Sequence, residues 1–161
     1  MHLGAASMIG ATASNGSDNG VSEDFDILKF TNDDLKEVSS LGYTVHNIVV
    51  NDPNMISDQD IKKIKDIFNK NSLIIGQTNG RYGGDLVNPD QTIRGNCIKF
   101  VQDMCELTSK LEAPNTYLRP GSINTNGPWL PHPENHTDKV FDRLVNSCLL
   151  YTSPSPRDLT T

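Results

Sequence analysis

The sequence predicts an α/β fold on a parallel sheet, with about four strand–helix units. Three observations predict it. Apolar runs of strand length alternate with segments of helical period, the pattern of parallel strands joined by crossover helices. One run, SLIIGQT at 72–78, is continuously apolar, as in a strand buried on both faces. The strand-to-helix connections are long and polar, whereas the helix-to-strand connections are nearly absent.

Residues 3–11 are small and apolar and suit a first strand, and residues 12–24 are a Ser/Asn/Gly/Asp loop. Thr31 is placed to cap a helix, with Asp33 and Asp34 favourable in its first turn. Leu35, Val38 and Leu41 follow at helical spacing, and Gly42 is a stop. YTVHNIVV at 43–50 is β-branched and aromatic, a second strand. Ser57 caps the next helix, whose apolar face is Ile61, Ile64, Ile67 and Phe68.

After the third strand at 72–78 comes a glycine-rich loop, NGRYGGDLVNPD. A long helix then carries Ile93, Cys97, Phe100 or Val101, Met104, Leu107 and Leu111 on one stripe, weakened near its start by Gly95 and ended by Pro114. Residues 115–118 make a fourth strand, closed by Pro120 and Gly121. Thr137 is expected to cap a final helix with Val140, Phe141, Leu144 and Val145 inside.

A (β/α)8 barrel gathers its long loops at the carboxyl ends of its strands, and so does an open doubly wound sheet. Four units are half of what a barrel needs. Whichever closes the sheet, function is expected at that end.

The 161 residues suffice for one domain with a real core. A net charge of −6 with both signs interspersed argues against a nucleic-acid footprint. No apolar run approaches the roughly 18 residues of a membrane span, and no basic–apolar leader is legible at the start. Cys97, Cys105 and Cys148 follow neither a disulfide nor a zinc pattern, which suits a reducing, cytoplasmic setting.

Candidate site residues fall in the loops after the third and fourth strands. Arg119, at a strand end, can grip a carboxylate or phosphate, or tie loops by a salt bridge. Arg81, with Asn79 and Tyr82, stands the same way after the third strand. Trp129, between two prolines, can wall a sugar site or pack onto its own scaffold.

His132 and His136 are four apart, but Pro133 lies between them. They read as metal ligands, substrate contacts or loop structure. Glu134 could act as a general base, although a solvent-reached loop leaves such a carboxylate near its ordinary pKa. His46 reads as packed, and Cys97 as core. No phosphate-loop or dinucleotide fingerprint is present.

Three passages carry a resemblance: IIGQTNGRYGGDLV at 74–87, the helix containing Arg94, and LRPGSINTNGPWLPHPENHT followed by FDRLV. Together they resemble the xylose-isomerase-like TIM barrels, and within them the sugar isomerase/epimerase branch. There a loop of the form R-P-G-S-x-N, here Arg119 to Asn124, leads to W-x-P-H-P-E-N. The match covers residues 31–147 and is specific in 118–136.

The resemblance implies the N-terminal half of a (β/α)8 barrel that moves a proton through an enediolate on a sugar or sugar phosphate. It also implies a divalent metal (Mn, Mg, Zn or Co) in the full-length parent, with the main ligands on later strands. Asn124 joins the candidate substrate contacts through it. The fragment itself is then expected to lack the catalytic centre, to bind neither nucleic acid nor membrane, and to be open to oligomerisation. The alternatives are an apurinic-site endonuclease of the same fold and a small non-catalytic α/β binding module.

Residues 148–158, CLLYTSPSPRD, resemble one reading frame of a transposase-type sequencing adapter. The expected division is therefore 1–30 (first strand and loop), 31–147 (partial barrel) and 148–161 (a non-native tail). The other reading of that tail is a genuine Pro-rich terminus.

Overall fold

The computed structural model describes residues 4–5, 26–81, 85–124, 126–127 and 129–152. Strands and helices alternate: β1 (Gly4–Ala5), α1 (Asn32–Ser40), β2 (Val45–Val50), α2 (Asp58–Lys70), β3 (Ile74–Gly80), α3 (Gln91–Lys110), β4 (Asn115–Tyr117) and α4 (Asp138–Thr152). The four strands form one sheet in chain order, every neighbouring pair parallel. Of the expected first strand, Gly4–Ala5 is described; the 12–24 loop and Tyr82 lie outside the described residues. The chain divides into two compact units, Met1–Arg81 with Asp103–Leu118, and Tyr82–Gln102 with Arg119–Thr161.

In the first unit both capping predictions hold. The Thr31 hydroxyl accepts the Asp34 N–H at 3.3 Å, and the Asp34 carboxylate accepts the Thr31 N–H at 2.8 Å. Ser57 and Asp60 repeat this box at 3.1 and 3.0 Å. Each box satisfies two N–H groups that a helix start leaves orphaned.

α1 buries Leu35 and Val38, and α2 buries Ile61, Ile64 and Phe68. Gly42, at φ +86°, ends the α1 segment in a conformation that favours glycine. α3 stops before Pro114: Glu112 turns left-handed at φ +58°, and the Ala113 N–H bonds back to the Thr108 carbonyl.

The sheet buries one face. His46, Ile48 and Val50 of β2, and Ile75 and Thr78 of β3, are buried. Thr78 also shares a 2.6 Å hydrogen bond with Thr108 of α3. Ile74 is 52% exposed, so the expectation of a strand buried on both faces is corrected: its apolar run serves one covered face and one open one.

In the second unit, the start of α3 buries Cys97, Ile98 and Val101, whereas Ile93 is exposed despite its place on the stripe. Leu86 and Val87, in a loop that reads as polar, are buried. They are held from α4: the Ser147 hydroxyl donates to the Leu86 carbonyl at 2.8 Å, and the Arg143 guanidinium to the Val87 carbonyl at 2.9 Å.

Two expectations for α4 need correction. Val140 is buried, but Phe141 and Val145 face outward. Thr137 precedes the helix as expected, yet its hydroxyl donates backwards to the Glu134 carbonyl. Among the described residues no helix is long and apolar enough to cross a membrane.

Candidate functional site

The loop after β4 is knotted at its neck by two side chains. Ser122 Oγ lies 2.8 Å from the Leu130 carbonyl, to which it donates. It accepts the Asn135 Nδ2–H at 2.9 Å and the Asn124 N–H at 3.1 Å. Asn135 Oδ1 in turn accepts the Ile123 N–H at 3.1 Å. The side-chain oxygens of both residues and the Asn135 amide nitrogen each thereby find a partner, as burial favours.

Sequence reasoning did not single out Ser122 or Asn135. The available signal was a pair of short polar side chains flanking a Pro/Gly-rich segment, a pattern that favours local side-chain-to-backbone bonds.

The knot fixes the surroundings of the predicted residues. Asn124 donates to the Pro131 carbonyl at 2.9 Å and accepts the Asn126 N–H at 2.9 Å, so its amide shapes the loop. His132 caps the short turn Pro133–His136, its Nδ1 accepting the Glu134 N–H at 3.2 Å. Glu134 and His136 are exposed. The Arg119 guanidinium carbon sits 5.1 Å from the centroid of the Trp129 ring, a cation–π pair, and Trp129 is 62% exposed. The structure thus brings Arg119 and Trp129 together.

Within the same unit, a groove of about 510 Å³ is lined by Val87, Pro120, Gly121, His136, Phe141 and Leu144 among others. Gly121, at φ +83°, makes the turn that opens one wall.

In the first unit, Asn79, next to last in β3, pairs with Tyr117 and donates to the Ile48 carbonyl at 3.2 Å. The Arg81 N–H bonds the Val50 carbonyl at 2.9 Å, which sets that residue at the carboxyl end of the sheet.

Three titratable groups are shifted chiefly by burial: His46, Cys97 and Cys105, whose thiol it also raises. His46 is buried between the rings of Phe30 and Phe68, and loss of solvation holds its pKa below the ordinary 6.5. The Cys97 thiol is pushed up to about 11, chiefly by burial, so it is an inert core thiol, as its place on the α3 stripe predicts.

Among the described residues no group of three or more His, Cys, Asp or Glu side chains is placed to hold a metal ion. With its Nδ1 engaged, His132 is a loop cap, and with His136 it forms no ligand set. The described residues do not fit a metal.

No protein-family model and no curated protein matches the chain. Solved structures do. A D-psicose 3-epimerase in the presence of D-fructose matches 91% of this chain and 46% of its own length, with a TM-score of 0.62 and 14% identity. A 3-keto-D-glucoside 4-epimerase from E. coli matches 92% of this chain and 49% of its own, at 0.59 and 15%. A D-allulose 3-epimerase from Methylomonas sp. in complex with D-allulose matches 94% and 46%, at 0.63 and 14%.

The chain therefore has the fold of roughly half of a TIM barrel, as those structures do over the matched part. It spans about half the length of the structures it matches.

Proposed function

We propose that this chain is the N-terminal half of a barrel that isomerises or epimerises a sugar or sugar phosphate, and that it supplies substrate-facing loops. One observation carries this reading: the match of more than nine-tenths of the chain to several sugar epimerases. The chemistry of that class is proton transfer beside a carbonyl through an enediolate, which a divalent metal can stabilise. The described residues hold no group of three or more ligands for such a metal, and the part of this chain is substrate binding.

Arg119, held over the Trp129 ring, presents guanidinium N–H groups to hydroxyl or phosphate oxygens. The exposed face of Trp129 takes the apolar C–H side of a sugar ring. His136 lines the groove and can donate to or accept from a hydroxyl. Within the first unit, Asn79 and Arg81 are the candidate contacts at the carboxyl end of β3. Asn124 and His132 act through the loop they shape, and Glu134 stands exposed beside them. Tyr82 enters by resemblance alone.

Trp129 is the only tryptophan in the chain, so its fluorescence reports on this loop alone. Titration with a neutral ketohexose such as D-fructose is expected to shift its emission and saturate in the millimolar range. Arg119→Ala is expected to weaken that response. An unresponsive Trp129 in the folded chain, across ketohexoses and their phosphates, overturns the reading.

A further inference from the structure

Side chains along a strand alternate between faces with a period of two, and β3 breaks that period once. Ile75 pairs with His46 and Thr78 pairs with Ile48, so β3 advances three residues while β2 advances two. All four are buried, and Thr78 reaches Thr108 of α3, so they share the helix-covered face. The extra residue is a β-bulge at Gly76 and Gln77.

In an unbroken strand, residues 77 and 79 would follow Ile75 onto the covered face. The bulge turns Gln77 and Asn79 to the open face instead. There they join Asn47 of β2 and Asn115 and Tyr117 of β4, which pair with Gln77 and Asn79.

The bulge is held by named atoms. The Gln77 N–H donates to Asn47 Oδ1 at 2.8 Å. Gly76 leaves the space this needs: a Cβ there would come within 2.5 Å of Asn47 Oδ1 and 2.7 Å of Val45 Cγ1. Gln77 Nε2 donates to Asn115 Oδ1 at 2.9 Å, linking β3 to β4. Bulges beside functional sites commonly re-aim a side chain.

We propose that this bulge-directed row of amides is a binding surface for the vicinal hydroxyls of a neutral polyol. Asn79 is the direct contact, Gln77 and Asn115 lie beside it, and Asn47 is the positioning residue that holds the bulge. A carboxamide offers both donors and an acceptor without charge, which matches a hydroxyl that both donates and accepts. The Asn79 bond to Ile48 uses one donor and leaves the acceptor oxygen to a ligand. The proposal rests on the sugar reading above and extends it to residues outside the loop after β4.

The test is nuclear magnetic resonance of the side-chain amides in the full 161-residue chain, titrated with D-fructose and, separately, with inorganic phosphate. The Gln77, Asn79 and Asn115 amide signals are expected to move with D-fructose and to stay still with phosphate. Asn79→Ala is expected to weaken the apparent affinity about fivefold, the worth of one neutral hydrogen bond. Asn47→Ala is expected to weaken it similarly, and Asn47→Asp to restore it, because a carboxylate still accepts the Gln77 N–H.

Still amide signals in the folded wild-type chain overturn the proposal, as do signals that move with phosphate alone. Wild-type affinity in both Asn79→Ala and Asn47→Ala also overturns it. Moving sheet amides beside an unresponsive Trp129 uphold the amide row and sink the loop reading, and the reverse pattern does the opposite.

Discussion

Helices α2 and α4 are similar in length and each begins beside an acidic first turn, yet they finish their packing differently. α2 buries Ile61, Ile64 and Phe68 and turns its lysines outward. α4 buries Val140 and Ser147, while Phe141, Val145 and Leu149, four apart along one stripe, are 65%, 39% and 59% exposed. The sequence pattern is amphipathic in both. Among the described residues α2 covers most of its stripe, with Ile67 half-buried, and α4 covers far less. A periodic apolar stripe therefore shows that a helix has a face to hide, not that the chain in hand hides it.

The contrast is tested most severely by truncating one aromatic on each helix. Phe68→Ala is expected to cost about 3–5 kcal/mol in urea unfolding, because it empties a buried site. Phe141→Ala is expected to stay within about 0.5 kcal/mol, as exposed positions do. Equal costs would break the comparison.

The helix starts sharpen it further. Ser57→Ala removes a capping box and is expected to cost about 1 kcal/mol. Thr137→Ala removes a hydroxyl that bonds backwards, and is expected to cost under about 0.5 kcal/mol. A Thr137→Ala cost matching that of Ser57→Ala would show that it caps α4 after all.

In the core against which α2 packs, His46 gives a pH signature. Its folded pKa lies below the unfolded value of 6.5, so the unfolded chain binds the extra proton more readily. The contribution is full above that value and is lost as pH falls below it and on through the folded pKa. His46→Phe is expected to flatten stability against pH in that window, read from urea midpoints. An unchanged slope would assign the titration to another group.

The smallest expected effect is a gain. A Cβ at Gly95 of α3 meets nothing within 4 Å, so Gly95→Ala is expected to stabilise by about 0.5–1 kcal/mol in the same assay.

Much of the fold was legible because its signals are local. Thr31 and Ser57 announce their helices through side chains that bond three residues ahead, and YTVHNIVV announces a strand by its β-branched and aromatic residues. The bulge in β3 was not read from the sequence; its one local signal is the isolated Gly76 inside a strand. The burial of Leu86 and Val87 was also hidden, since it depends on Ser147 and Arg143 more than fifty positions away. Of the site residues, Arg119 and Trp129 could be picked out by type and turn context, but their stacking could not. Asn124 and His132 were visible as polar loop residues, and only the structure shows their bonds turned to the loop itself.

Ser122 and Asn135 stand thirteen positions apart in the chain and are bonded directly. Closing that span spends conformational freedom during folding, at a cost that grows only with the logarithm of loop length. A loop tied in this way has less disorder to surrender when a ligand arrives, where each freshly immobilised side chain costs about 0.5–1.5 kcal/mol.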